Sequence, residues 1–400
     1  MMSSSKYALA QEHPGDDYEH LDSAISLSLL TCQPGEESWS LYGHTAIHYI
    51  NRNKGIDVAV NYGMFNFHKP FFVLRFIFGL TDYEMGVQPY DYFCEAYAYE
   101  KRGIIEQELN FLTPQDKAII VKALEDNYLP ENREYRYNFF YDNCTTRARD
   151  MLLIPCRNHG SINFKRKAAG PSFRELTHKY TSERPWVQLG NDLLLGVKAD
   201  RPTTISEQQF LPFNLLEDFD NATLELEGSE ATPLKIVGKK TTVVPMFKRD
   251  YTKKDFPLSP TTCAIILALT ICIITLFEHV RHRIIWAFDL ALLIPIGICG
   301  LILTAMIFSQ HPTVNLNLQI LLLNPIAIAC LFPIISHERK GHGHWFWFAY
   351  SLCLQLFLAG NAIQCYAEGT NILASSLLYR CYVRIKQAPT LKKQTVNQDI

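Results

Sequence analysis

Polar and apolar residues alternate through Ile25-Ser-Leu-Ser-Leu-Leu30, the period of two that gives a strand one core-facing side. Residues 45–50 read as a second strand and residues 57–62 as a third, after the turn Asn51-Arg-Asn-Lys-Gly55, so the three predict an antiparallel meander. Thr113-Pro-Gln-Asp116 then places a cap, a proline at the first helical position and an acid at the third, opening a helix that runs to about residue 128. Residues 135–140 read as a strand or an extended approach to Tyr141-Asp-Asn-Cys-Thr-Thr-Arg-Ala-Arg-Asp150. A helix is expected to start there near Cys144, with Asp142 or Asn143 as its cap. Strands followed by helices indicate an α+β domain. Residues 156–255 are less regular, rich in Pro and Gly, with a strand candidate at 223–226, and read as an extension that covers the first unit and leads onward.

From Thr261 the pattern changes. Four runs, 261–277, 284–308, 318–335 and 345–366, approach the roughly 20 apolar residues that a helix needs to cross about 30 Å of hydrocarbon. A fifth, 372–383, is short and interrupted by Arg380. Buried helices of a water-soluble domain would carry polar faces at 3.6-residue spacing, which these runs lack, so membrane spans are expected.

Charge gives the runs a direction. Arg281 and Arg283 follow the first, Arg339 and Lys340 the third, and Arg384, Lys386, Lys392 and Lys393 the last, whereas loops 309–317 and 367–371 hold no Lys or Arg. Basic short loops mark the cytoplasmic side, so residues 1 to about 255 are expected outside it. Lys248, Arg249, Lys253 and Lys254 oppose this, but long domains are translocated largely regardless of such charge. Ala8-Leu9-Ala10 has the form of a signal-cleavage site, yet no apolar stretch precedes it; residues 1–24 are read as a polar leader, the remnant of a signal peptide with a truncated start. Across 400 residues the net charge is −2, without the positive excess that phosphate-backbone binding uses, so no nucleic-acid partner is expected.

Eleven cysteines divide into Cys32, Cys94, Cys144 and Cys156 ahead of the apolar runs and seven within or beside them. No spacing suggests zinc, and neither metal nor cofactor is expected. Cys32 and Cys94 are candidates for a disulfide in an oxidising compartment. A thiol becomes nucleophilic when its pKa falls, and a helix N-terminus beside an imidazole lowers it. Cys144 has the first feature; the imidazole candidate is His44, in Ser40-Leu-Tyr-Gly-His-Thr-Ala-Ile-His48. On a strand Tyr42, His44, Ala46 and His48 share a face, which would point Tyr42 and His44 into one cleft; His48 is read as structural. Asn61, on the neighbouring strand, is the polar choice to orient the imidazole. The bland alternative is a small packed cysteine and a satisfied structural histidine.

Tyr42-Gly-His-Thr-Ala-Ile-His48, Asn61-Tyr-Gly-Met-Phe-Asn-Phe67 and the block from Pro130 to Asp150 containing Asp142-Asn-Cys-Thr-Thr-Arg147 together resemble the Lnb N-terminal periplasmic domain family. The similarity continues through Pro185-Trp186, Gly190-Asn-Asp-Leu-Leu-Leu-Gly196 and Phe210-Leu-Pro212. The later blocks His311-Pro-Thr-Val-Asn-Leu-Asn317 and Asn324-Pro325 resemble the polytopic tail that accompanies that domain. The resemblance implies a circularly permuted papain-like (NlpC/P60-like) thiol domain, with the histidine strand preceding the cysteine helix, followed by an all-α polytopic membrane domain. It also implies Cys144 as nucleophile and His44 as base, with Asn61 added from the strand layout. The organisation expected is a leader at 1–24, the catalytic domain at 25–155, the extension and linker at 156–255, four to five membrane helices at 261–383 and a cytoplasmic tail at 384–400.

The activity so implied is that of a thiol acyltransferase of the bacterial inner membrane, its amino-terminal domain in the periplasm. It would carry an acyl chain from a phospholipid donor through a Cys144 thioester to the amino terminus of a diacylglyceryl-cysteine lipoprotein. A thiol hydrolase acting on lipid or peptidoglycan is the rival enzyme, and a non-enzymatic membrane scaffold the rival outside catalysis. Phe71-Phe-Val-Leu-Arg-Phe-Ile-Phe-Gly79 admits two readings, a buried core helix or a segment lying on the membrane.

Overall fold

The computed structural model describes residues 24–37, 39–65, 70–156, 160–166, 170–226, 232–248 and 256–396. The proposed leader therefore lies outside the described residues except for Ala24. The chain forms two compact units. The first takes residues up to 72, 81–170 and 203–249; the second takes 73–80, 171–202 and everything from 250. The stretch read as one extension, 156–255, is thus divided between them.

In the first unit, β1 (Ile25–Cys32), β2 (His44–Asn51) and β3 (Ile56–Met64) form the meander expected from the alternation. Helix α1 (Phe72–Ile77) belongs to the second unit from its second residue on. The chain returns through β4 (Asp82–Pro89), α2 (Tyr90–Tyr99), β5 (Ile104–Leu109), α3 (Pro114–Tyr128), β6 (Glu134–Arg136) and α4 (Cys144–Leu152). Thr113 and Asp116 make the reciprocal capping box that opens α3. After β7 (Gly160–Asn163) come α5 (Phe173–Thr181) and α6 (Pro185–Leu194), both in the second unit. Helices α7 (Ile205–Gln208) and α8 (Pro212–Asn221) and strands β8 (Thr223–Leu226), β9 (Leu234–Lys235) and β10 (Val237–Val244) complete the first.

Seven strands form one antiparallel sheet in the order β10-β5-β1-β2-β3-β4-β6, and β7-β8-β9 form a second. Leu27, Leu29, Ile47, Tyr49, Val58 and Val60 on the central strands pack with Ile120 and Leu124 of α3, Ala148 and Leu152 of α4 and Leu215 and Phe219 of α8. Helix α4 is thereby held by its apolar side, with its first turn lying over β2 and β3.

The second unit is helical. Helices α9 (Pro260–Arg281) and α10 (Trp286–Ile307) are each long and apolar enough to cross a membrane. A third candidate is broken: residues 318–329, ending in α11 (Ile326–Ala329), and α12 (Leu331–Arg339) meet at a 70° bend. Helix α13 (Phe346–Ala359) is shorter, and α14 (Thr370–Val396) runs 27 residues, straight through the segment that Arg380 was expected to interrupt. Arg380 is fully buried, its Nε donating to Asp289 Oδ1 (2.6 Å) and its Nη1 to Glu278 Oε2 (3.0 Å) and Thr275 Oγ1 (2.8 Å). A charge that looks like a break is the centre of a helix-binding network.

At its other end this unit joins two sequence blocks more than a hundred residues apart. Gly196 N donates to Thr313 O and Val197 N to Leu316 O, both at 2.8 Å. A Cβ on Gly196 would lie 2.1 Å from Leu316 O, so only glycine allows that approach. Gln319 Nε2 reaches Asp192 O (2.7 Å) and Asn317 Nδ2 reaches Leu193 O (2.8 Å). Arg174 Nη1, buried, donates to Asp192 Oδ1 (2.8 Å) and its Nε to Asp200 Oδ1 (2.7 Å), fixing the residues that present those carbonyls.

Candidate active site

The first unit brings Cys144, His44 and Asn61 together. Cys144 is the first residue of α4. Of the two cap candidates, Asn143 holds the position: its Oδ1 accepts from Thr145 N and Thr146 N, both at 2.9 Å, while its Nδ2 donates to Phe139 O and Phe210 O, also at 2.9 Å. This saturates the buried Asn143 amide and fixes where the helix begins. The Cys144 N–H has no acceptor among the described residues and stands at the positive end of the helix. Asp142 has a different task, a bidentate pair with Arg147 at 2.6 and 2.8 Å. The Arg147 guanidinium lies 3.6 Å above the Tyr135 ring, and Arg149 Nη1 donates to Ser206 O (2.9 Å) and Gln209 Oε1 (3.2 Å).

His44 opens β2. Gly43 before it has φ +85°, and a Cβ there would come within 2.8 Å of Cys32 O, so the glycine sets how the strand enters beside β1. That turn also ends the strand at His44, leaving Tyr42 outside it; the Tyr42 ring packs edge-on against Phe139 at 4.9 Å rather than continuing a strand face. Asn61 lies opposite Ala46 in the β2–β3 register, and its Oδ1 is 3.0 Å from His44 Nε2. With Nε2–H donating to Asn61, the remaining ring nitrogen, Nδ1, is the one left for the hydrogen bond between His44 and the Cys144 thiol. Gly63, at a bulge between Asn61 and Met64, passes beside the thiol: a Cβ on it would lie 3.6 Å from Cys144 Cβ.

The electrostatics favour an ionised pair. Burial pushes the Cys144 thiol upward, but attraction to the His44 imidazolium, their hydrogen bond, the Thr45 backbone and the Thr145 hydroxyl outweigh it and leave the thiol below an ordinary cysteine. Burial likewise works against charge on His44, and its contacts with Cys144 and Asn61 raise it nonetheless. The other thiols of this unit lie the other way: burial raises Cys32 and Cys94, and it raises Cys156 to about 11. Cys32 and Cys94 are both free.

His48, on the same strand, is engaged elsewhere. Its Nδ1 lies 2.6 Å from Glu106 Oε1 and its Nε2 2.8 Å from Asp57 Oδ1, while its ring stacks on Tyr90 at 3.6 Å. No group of three or more His, Cys, Asp or Glu side chains among the described residues is arranged to hold a metal. Residue-level reading missed Thr45 and Thr145, whose buried hydroxyls bond at 3.0 Å, as well as Gly63 and Tyr135. Two threonines flanking the reactive pair in sequence, each next to a singled-out residue, were the available signal.

An antiparallel α+β domain with a cysteine at a helix start beside a histidine, followed by a helical unit with two helices long and apolar enough to cross a membrane, defines a membrane-associated protein of two parts. Two family models match it in order: the Lnb N-terminal periplasmic domain over residues 19–179 and the Lnb transmembrane domain over residues 251–392. Between them they cover most of the chain, which belongs to the Lnb family and shares its membrane-bound, lipoprotein-processing character. No curated protein and no solved structure matches the chain.

Proposed function

We propose that this chain is a thiol-dependent lipoprotein N-acyltransferase whose nucleophile, base and orienting residue are Cys144, His44 and Asn61. The observation that carries the reading is the thiol lowered by a histidine that Asn61 holds through Nε2, in a chain with both Lnb domains. The domain is read as a circularly permuted papain-like fold, since a histidine strand precedes the cysteine helix.

The chemistry follows from the placement. His44 Nδ1 takes the thiol proton, and the thiolate attacks an ester carbonyl of a phospholipid. The developing oxyanion meets the free Cys144 N–H at the helix start. As the tetrahedral adduct collapses, the lysophospholipid oxygen leaves with the proton from His44, and Cys144 carries the acyl chain as a thioester. The free α-amino group of a diacylglyceryl-cysteine lipoprotein attacks that thioester; His44 accepts a proton from the amine as the thiolate is expelled, and the product is an amide. Asn61 keeps the ring in the tautomer that leaves Nδ1 free for these transfers. No step needs a metal or cofactor.

The charge pattern of the loops supports an inner-membrane protein whose first unit faces the periplasm, with residues 309–317 on that side and 339–340 on the cytoplasmic side. Mass spectrometry of lipoprotein amino termini tests the proposal in cells carrying the native chain, Cys144→Ala or no copy. An acyl amide present only with the native chain is expected. An amide that persists with Cys144→Ala removes the thiol route, and release of free fatty acid without amide assigns the chain to hydrolysis instead.

A further inference from the structure

Between β3 and β4 the chain leaves the sheet domain and contributes residues 73–80 to the helical unit. The segment around α1 is strongly apolar, yet it is not core. Phe71 is 78% exposed, Leu74 51% and Phe76 43%, with Leu80 also exposed. Leu74, Phe76 and Leu80, three large apolar side chains within seven residues of the helical unit, are left uncovered, and exposed apolar surface of this kind marks a place that meets another apolar phase.

Its attachment tells where it sits within the helical unit. Ile77 packs with Leu303 and Met306 of α10, Val314 and Leu323. Gln310 N donates to Phe78 O at 3.0 Å, and the Phe76 ring lies 6.3 Å from that of His311. The segment is therefore fastened to the last turns of α10 and the loop that follows, a loop without Lys or Arg. At this level α10, a helix long and apolar enough to cross a membrane, also leaves Leu301, Ile302 and Ile307 exposed, as does Phe308 just after it, so the apolar segment is fastened beside an apolar stretch of that helix. Arg75, the one charge in the segment, turns its Nε to Leu80 O at 3.2 Å, so its head is held against the segment's own backbone. At six residues α1 is too short to cross.

We infer that residues 73–80 lie in the outer, non-cytoplasmic leaflet beside the end of α10, with Leu74 and Phe76 among phospholipid acyl chains. This gives the protein a second lipid contact outside its spans. It does not depend on the chemistry assigned to Cys144.

The test uses the full chain in vesicles of phosphatidylethanolamine and phosphatidylglycerol. p-Benzoylphenylalanine replaces Leu74 in one variant, Phe76 in a second and, as a water-exposed control in the sheet domain, Tyr99 in a third. After irradiation, peptides carrying residue 74 or 76 should gain the mass of a phospholipid or its acyl chain, several-fold above the Tyr99 position. Adducts confined to other peptides of the chain, or to a second copy, would overturn the inference, as would equal lipid labelling at all three positions. Folding of each variant is read independently from its thermal midpoint.

Discussion

Thr45 Oγ1 donates to Thr145 Oγ1 across 3.0 Å, a bond between two fully buried hydroxyls that lie one residue beyond His44 and one residue beyond Cys144. It ties the histidine strand to the cysteine helix beside the reactive pair, and the same Thr145 hydroxyl lies 3.8 Å from the Cys144 sulfur, so the bond bears on where imidazole and sulfur stand. Thr45→Val keeps shape and removes the donor, leaving the Thr145 hydroxyl only its contact with the Cys144 sulfur. We expect a loss of about 1–3 kcal/mol in stability. Turnover should fall by up to about 100-fold through misplacement of the pair. A purely structural role would leave the pH midpoint of Cys144 alkylation unchanged; a positioning role raises it, and Thr45→Ser restores it.

Thiolate reactivity has a direction with pH. Cys144 is lowered and His44 raised, so the thiolate–imidazolium pair exists above the depressed thiol value and below the elevated imidazole value. The rate of Cys144 modification by iodoacetamide should therefore already be high where ordinary thiols are protonated. His44→Ala removes the attraction and should move the midpoint upward while cutting acyl transfer by roughly 10²–10⁴-fold. Asn61→Ala should act in the same direction less strongly, because it frees the ring without removing it. Identical alkylation profiles for native and His44→Ala proteins would dissolve the pair.

His48 offers a separate reading of pH through stability. Burial disfavours its charged form, but Glu106 and Asp57 raise it above an ordinary histidine. A group raised in the folded state contributes stability that is complete below its unfolded value, near 6.5, and is lost as pH rises through the folded one. Glu106 is lowered by the same pair despite burial, so its share fades on acidification. His48→Gln should thus reduce the thermal midpoint most in mildly acidic buffer and less as the pH climbs into the alkaline range. A gap that widens with pH would contradict the assigned sign.

The loop after α10 tests the orientation. Leu316 is 55% exposed, whereas Ser309 in the same loop is buried, so Leu316 is the better position for a probe. A membrane-impermeant thiol reagent applied to spheroplasts should label Leu316→Cys above the background of the native cysteines. Labelling only after the cytoplasmic face is opened would invert the topology and move the proposed site with it.

Local signals were legible where one residue type has one physical use. Thr113-Pro-Gln-Asp116 marks the cap and start of α3, and the alternation through Leu30 and the run 57–62 mark β1 and β3. Asn61 was reachable because adjacent strands bring side chains of one face together. What escaped was long-range. β10 carries Lys239, Lys240, Thr241 and Thr242 on an exposed edge, with a pattern too polar to announce a strand, and it pairs with β5 more than a hundred residues away. The sorting of 171–202 to the helical unit rests on Asp192, Leu193 and Gly196, whose backbone groups bond Gln319, Asn317 and Thr313, more than a hundred residues along the chain. Tyr42 does not share the strand face of His44, because Gly43 at φ +85° turns the chain just before the strand begins.

Arg380 poses the sharpest contrast between pattern and structure, and it yields the last prediction. In an apolar run an arginine lowers the expectation of a membrane helix, because an unpaired charge in hydrocarbon is costly. Here the guanidinium is shared between Asp289 on α10 and Glu278 and Thr275 on α9, and Arg384 one turn on pairs with the same two carboxylates. Glu338 at the end of α12 accepts from Trp347 Nε1 at 2.9 Å and faces Arg384 Nε at 3.8 Å, which draws α12 and α13 into the network. Three helices, α9, α10 and α14, therefore meet through side chains that are costly alone and stable only together. Arg380→Met removes one of the two cations that Glu278 and Asp289 share and leaves Arg384 alone against both buried carboxylates, so a loss of about 3–5 kcal/mol is expected. Arg380→Met combined with Asp289→Leu and Glu278→Gln removes that imbalance and should recover part of the loss. Thermal unfolding of the full chain in detergent measures both. A triple variant no more stable than Arg380→Met would mean that the arginine acts through its packing on Phe288, 4.8 Å away, and not through its charge.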